Sequence, residues 1–257
     1  MRPSRRIAIG QIAMHWTTAE NVDAIARAMA VADRAGAQIC AFSELAVTGF
    51  HRQIAREATL ETVGPALQTI RADAARRGLA VAVGAPTFSN DGARFITHVL
   101  IDERGQTVAE VPKQGLTDPE ATFFARGQAR PVGLMQGLRC SAVICREVND
   151  WRAMSSALPA GSVDLIFVPG ALRQDPDLPR TDPPPYVQDL QHLARATAAY
   201  VVHTNWPNAL NRPEESVDGG GSTMVSPSGE VLFRLPMQSS GLGVFDLGAR
   251  DFTWFGQ

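Results

Sequence analysis

Cysteine is scarce in this chain. Its 257 residues hold three, Cys40, Cys140 and Cys145, an odd and scattered set that excludes the disulfide framework of a small secreted domain. All three lie in apolar runs, which fits a reducing compartment, so a cytoplasmic protein is expected. A dominant charge is absent as well: 24 Lys+Arg stand against 26 Asp+Glu, and no basic run is interleaved with aromatics, so neither a nucleic-acid nor a membrane partner is expected. No apolar run is long enough to span a bilayer. The arginines ahead of Ile7-Ala8-Ile9-Gly10 imitate the start of a signal segment, but Gln11, His15 and Glu20 break the apolar stretch early. Five histidines, His15, His51, His98, His192 and His203, show no His-Glu-x-x-His spacing, and there is no Cys-x-x-Cys pair, so no metal site is expected. Gly219-Gly220-Gly221-Ser222 lacks the lysine of a phosphate loop and reads as a flexible turn.

What the chain does have is strand and helix in alternation. Its length suits one α/β domain spanning residues 1–257. A strand over 7–13 leads to an Ala-rich helix that starts at Thr17-Thr18-Ala19-Glu20 and stops at Gly36. Strand 38–43, helix 65–77 and strand 80–86 follow, then a hairpin of 97–102 and 107–111. A second round reads as strand 137–144, helix 151–157, strand 163–168, helix 186–199 and strand 200–204, with short strands near 222–225, 231–235 and 243–245. Two such rounds predict two sheets, each covered by helices on one face. The Pro-, Asp- and Arg-rich stretch 170–185 is read as a wall or lid of a pocket.

Three apolar strands end on chemistry. Ala142-Val143-Ile144 stops at Cys145, Ile39-Cys40-Ala41-Phe42-Ser43 at Glu44, and Thr107-Val108-Ala109-Glu110-Val111-Pro112 at Lys113. A side chain at a strand end can stand at the mouth of a sheet, where α/β proteins bind their substrates. A carboxylate, an ammonium and a thiol brought together there could perform acyl transfer. The default reading of each is plainer: a buried thiol is usually a small hydrophobe, and a lone Glu or Lys is usually solvated.

The surrounding motifs run in a family's order. Phe42-Ser43-Glu44 followed by Thr48-Gly49-Phe50, Lys113-Gln114-Gly115-Leu116, and Glu120 followed by Phe123-Phe124-Ala125-Arg126-Gly127 lead to Cys145. The strand ending in Val168-Pro169, the strand ending in Asn205, and Gly220-Gly221-Ser222 with Pro227-Ser228-Gly229 come after it. Together they resemble the nitrilase superfamily, the carbon-nitrogen hydrolases that act through a Glu-Lys-Cys triad and a thioester. The resemblance implies a four-layer αββα sandwich and an amidase-like hydrolase that needs no cofactor and acts on a small amide, as a homodimer or higher homo-oligomer. It implies Glu44 as general base, Lys113 and the N–H of Arg146 as oxyanion donors, and Cys145 as nucleophile. Glu120 would fix Lys113 or orient the substrate amide. Glu147 matches the family's acidic residue two places after the cysteine. The chain departs from the pattern at Gly115, where the family has His, and after Glu147, where its Pro and final Glu are missing. An N-carbamoyl hydrolase, a nitrilase or an inactive binding member would carry similar motifs. From the residues themselves, Arg52, Arg146 and Arg173 are candidates to clamp a substrate carboxylate, since a guanidinium binds one through two parallel hydrogen bonds.

Overall fold

The computed structural model describes residues 5–173 and 181–256. In chain order it contains β1 (Arg6–Gln11), α1 (Thr18–Arg34), β2 (Ile39–Ala41), α2 (Ile54–Glu57), α3 (Leu60–Arg77), β3 (Ala80–Phe88), β4 (Arg94–Ile101) and β5 (Thr107–Pro112). Then come α4 (Asp118–Ala121), β6 (Gly133–Met135), β7 (Leu138–Ala142), a 3-10 helix (Cys145–Asp150), α5 (Trp151–Ala157), β8 (Leu165–Gly170), α6 (Tyr186–Thr197) and β9 (Tyr200–Asn205). A second 3-10 helix (Pro213–Asp218) precedes β10 (Thr223–Val225), β11 (Val231–Arg234), β12 (Gly241–Asp246) and β13 (Phe252–Gly256).

The strands form two sheets, ordered β13-β12-β1-β2-β3-β4-β5 and β11-β10-β9-β8-β7-β6. Each has a parallel centre, β1-β2-β3 in one and β7-β8-β9 in the other, flanked by antiparallel strands. The parallel strands are buried on both faces, so they read as continuous apolar runs rather than as an alternation. Side chains still alternate between layers. Ile7, Ile9, Ile39, Ala41, Leu165 and Phe167 fill the layer between the sheets. Ala8 and Cys40 face the layer under α1 and α3, while Ile166 and Val168 face α6. Three apolar layers separate four layers of structure, so the chain is an αββα sandwich, as the resemblance implies.

Local signals placed α1 well. Thr17 caps it by accepting from the N–H of Glu20, and Gly36 takes the left-handed φ of 71° just beyond its end. α3 begins earlier than expected: Thr59 is its cap, and Pro65 lies inside the helix rather than at its start. The strand expected over 137–144 ends at Ala142, and Cys145 opens a 3-10 helix. β6, β13 and α2 were not foreseen. Residues 174–180 of the expected lid lie outside the described residues.

Candidate active site

Glu44 lies three residues beyond β2, in a turn pressed against β3. Leu45, next in the chain, is left-handed with φ 51°. Gly84 of β3 makes the close approach possible: a Cβ there would stand 2.3 Å from the Leu45 nitrogen and 2.4 Å from the Ser43 carbonyl oxygen. Lys113 follows β5 and stays tied to β4 through its N–H, which donates to Ile96 at 2.7 Å. The glycine of the Phe-x-x-Gly turn, Gly127, packs its bare Cα on Pro112 and donates to the Lys113 carbonyl at 2.8 Å.

Cys145 has φ 54°, an uncommon value for a residue with a side chain. Gly170, at the end of β8, leaves room for this elbow, because a Cβ there would come within 3.4 Å of the Cys145 Cα. Of the three cysteines, Cys145 alone is not fully buried.

The strand-end residues do meet. Lys113 Nζ donates to Glu44 Oε1 and to Glu120 Oε1, each at 2.7 Å, and the three side chains are buried. Glu120 uses its other oxygen to accept from the N–H of Thr117 at 2.8 Å, closing a capping box at the start of α4. It is therefore both a helix-start glutamate and a partner of Lys113. Glu44 Oε2 is buried and accepts no well-formed hydrogen bond from within the protein. The Cys145 thiol nonetheless lies near enough to favour the carboxylate as a weak donor.

Electrostatics set the resting charges. Burial disfavours the ammonium of Lys113, but Glu44, Cys145 and Glu120 outweigh it and hold the lysine above its ordinary range. Burial raises the Glu44 carboxyl, with Glu120 adding to the rise and Lys113 opposing it. The Cys145 thiol is pushed up to about 12 by burial and by the Glu44 carboxylate, so it rests protonated and needs a base to become a nucleophile.

Glu147 is an internal tie. Oε1 accepts from the N–H groups of Gln114 and Gly115 at 2.7 and 2.9 Å, and Oε2 accepts from the N–H of Ile144 at 2.7 Å. Arg130 pairs with it at 3.1 Å, both side chains buried. Burial alone would raise this carboxyl, but Arg130 and the backbone donors outweigh it and the pKa is lowered. One side chain thus joins the exit of Lys113 to the elbow of Cys145. The departure at Gly115 fits this, since a Cβ there would stand 3.0 Å from Glu147 Cγ.

The arginines are engaged elsewhere. Arg146 donates to the Leu116 carbonyl at 3.0 Å, Arg173 pairs with Glu215 at 2.7 Å, and Arg52 lies over the Trp16 ring at 5.5 Å. The structure thus gives a substrate clamp no support at these positions. Sequence reasoning also missed Arg130, Gly84, Gly170 and Trp206. Among the described residues, no group of three His, Cys, Asp or Glu side chains could hold a metal, and no helix is long and apolar enough to cross a membrane.

Comparison with known proteins agrees with this architecture. An amidase from Nesterenkonia sp. superposes with a TM-score of 0.80 at 30% identity, covering 96% of this chain and 92% of that one. A Glu-to-Gln variant of the Nesterenkonia amidase, showing Michael addition of acrylamide at its active-site cysteine, matches with a TM-score of 0.80 at 29% identity over 95% of this chain and 94% of that one. A Pseudomonas protegens protein described as "Hydrolase in pqqF 5'region" is 27% identical over 173 residues, 66% of this chain. The match covers 56% of that curated relative's length. Residues 6–251 match the family model of the carbon-nitrogen hydrolases, and the chain belongs to that family, within the nitrilase superfamily.

Proposed function

We propose that this chain hydrolyses a small linear amide through a thioester on Cys145. Glu44 Oε2 takes the Sγ proton as sulfur attacks the amide carbon, and the carbonyl π pair moves to oxygen. Lys113 and the N–H of Arg146 stabilise the oxyanion. As the intermediate collapses, the C–N bond breaks and Glu44 returns the proton to the departing nitrogen, releasing ammonia. Water, deprotonated by Glu44, then cleaves the thioester, yielding the carboxylic acid and restoring the thiol.

One observation carries this reading: a buried lysine held at 2.7 Å by each of two carboxylates, beside a thiol on a left-handed elbow. A packing cysteine needs none of this, and a lysine with such buried partners is costly to assemble for stability alone. The comparisons support it through amidases of known structure, one of them in complex with acrylamide. The choice of an amide over a nitrile or a carbamoyl amine rests on those relatives.

The test is ammonia release from a panel of amides, ureido compounds and nitriles, with Cys145→Ala as control. Release from small amides that vanishes in Cys145→Ala is expected. Turnover that survives in Cys145→Ala but not in Cys40→Ala or Cys140→Ala would overturn the assignment.

A further inference from the structure

In the turn that carries Glu44 the Ser43 and Leu45 carbonyls accept from N–H groups of the turn itself, but the Phe42 and Glu44 carbonyls lie beyond the last paired residue of β2 and need partners from elsewhere. They come from the other sheet. Thr204, in the last residues of β9, donates its Oγ1 hydroxyl to the Phe42 carbonyl at 2.9 Å. Trp206, just past β9, donates its indole N–H to the Glu44 carbonyl at 2.9 Å. Each donor lies 162 residues beyond its acceptor, so side chains two apart on one segment bond carbonyls two apart on the other. The pair forms a two-rung ladder across the sandwich, with Trp206 wholly buried and packed in the cluster that holds Phe42, Ala46 and Val47.

On its other side the turn abuts Gly84, where a Cβ would stand 2.8 Å from the Glu44 carbonyl carbon. Leu45 keeps its left-handed φ of 51° between these two supports. A strained backbone persists where its surroundings over-determine it, and such places cluster at functional sites.

We infer that Trp206, assisted by Thr204, is a positioning residue that fixes the Glu44 carboxylate against Cys145 and Lys113 by holding the Glu44 main chain. This rests on the proposed role of Glu44 as base. Neither side chain has a direct bond to the Glu44 carboxylate, so the effect passes through the backbone. Without the indole N–H, a buried carbonyl is left unpaired and the turn can relax towards another donor. A displacement of about 1 Å at a reacting group costs on the order of a hundredfold in rate. Movement away from Lys113 also removes the charge that favours the Glu44 carboxylate, so proton abstraction would require a higher pH.

The experiment follows alkylation of the full chain by iodoacetamide, with peptide mapping, as a function of pH. Cys40 and Cys140 serve as buried references in the same sample. Trp206→Phe keeps a buried ring without the N–H, Thr204→Val keeps the shape without the hydroxyl, and Thr204→Ser keeps the hydroxyl. We expect Cys145 of the parent chain to react far faster than the references. In Trp206→Phe and Thr204→Val its rate should fall about tenfold or more, with the acid limb moved to higher pH, while Thr204→Ser stays near the parent. If Trp206→Phe does not fold, the two threonine variants carry the test. A parent Cys145 no faster than Cys40 would remove the proposed function and this inference with it. A fast parent together with an unchanged rate and pH limb in the folded variants would overturn the inference alone. So would a lower melting temperature with the limb unmoved, which is what a purely structural role produces.

Discussion

Lys113 carries one positive charge between two carboxylates, and a site so arranged responds differently to the loss of each partner. Removing one member of a buried ion pair costs about 3–5 kcal/mol, because the remaining charge stays buried without compensation. Lys113→Ala should therefore destabilise the chain as well as lower kcat by about a hundredfold or more, the usual scale for an oxyanion donor. Glu44→Gln keeps the shape and a hydrogen bond to Lys113 but cannot accept a proton. A kcat loss of about a hundredfold or more with little change in KM is expected in steady-state kinetics. Near-normal kcat in either variant would remove that residue from the chemical step. Glu120→Gln has a signature of its own. Glu120 helps to raise the Glu44 carboxyl, so its neutralisation lowers that pKa and moves the acid limb of kcat/KM to lower pH. A limb that stays in place or moves up would show that Glu120 does not act on Glu44 through its charge. For Arg173, already paired with Glu215, replacement by Ala should leave the preference between acidic and neutral amides of equal size unchanged, as a competition assay would show.

At the scale of elements, the site is made of exits rather than strands. The exits of β5 and β7 lie in different sheets and share one carboxylate, Glu147. Glu147→Gln preserves volume but removes the charge facing Arg130 and one acceptor for the three N–H groups. Urea unfolding should show a loss of about 3 kcal/mol or more, with kcat reduced because Lys113 and Cys145 lose their common support. A stable variant with full activity would contradict the tie. The capped helix α1 was legible because its signals are local: Thr17, Glu20 and Gly36 act within a turn of the helix they bound. β6 and β13 were not, since strands of three and five residues at sheet edges have too little periodicity to stand out. Glu44, Lys113 and Cys145 could be picked out by their motifs. Arg130 could not, because it sits in a polar run and acquires a role only when the fold buries it against Glu147.

The whole molecule seals two histidines. His98 lies against Phe167, and His203 lies against Tyr186, with no ring nitrogen of either making a protein hydrogen bond. Burial pushes both from an ordinary 6.5 down to about 3, so each is neutral in the folded chain near neutrality. The unfolded chain binds these protons first as pH falls. Stability is therefore fully present above pH 6.5 and is lost progressively towards pH 3, with each histidine contributing up to about 1.4 kcal/mol per pH unit. Denaturation of His98→Leu and His203→Phe at neutral and mildly acidic pH should show a shallower acid loss than the parent. Equal slopes would mean that the rings protonate without unfolding.

The sequence by itself determined the class of the fold, the order of its main helices and strands, and the three residues that follow strands with a carboxylate, an ammonium and a thiol. These follow from short-range chemistry: periodicity, caps, β-branched runs and motif spacing all act within a few residues. Only the tertiary structure decided which of those ends converge, that Glu120 shares Lys113 while capping its own helix, that Glu147 binds two exits, and that Trp206 reaches the Glu44 turn. Each of these contacts joins residues distant in the chain or assigns a buried polar atom its partner. Burial creates that demand for partners, and burial exists only once the two sheets have closed on each other.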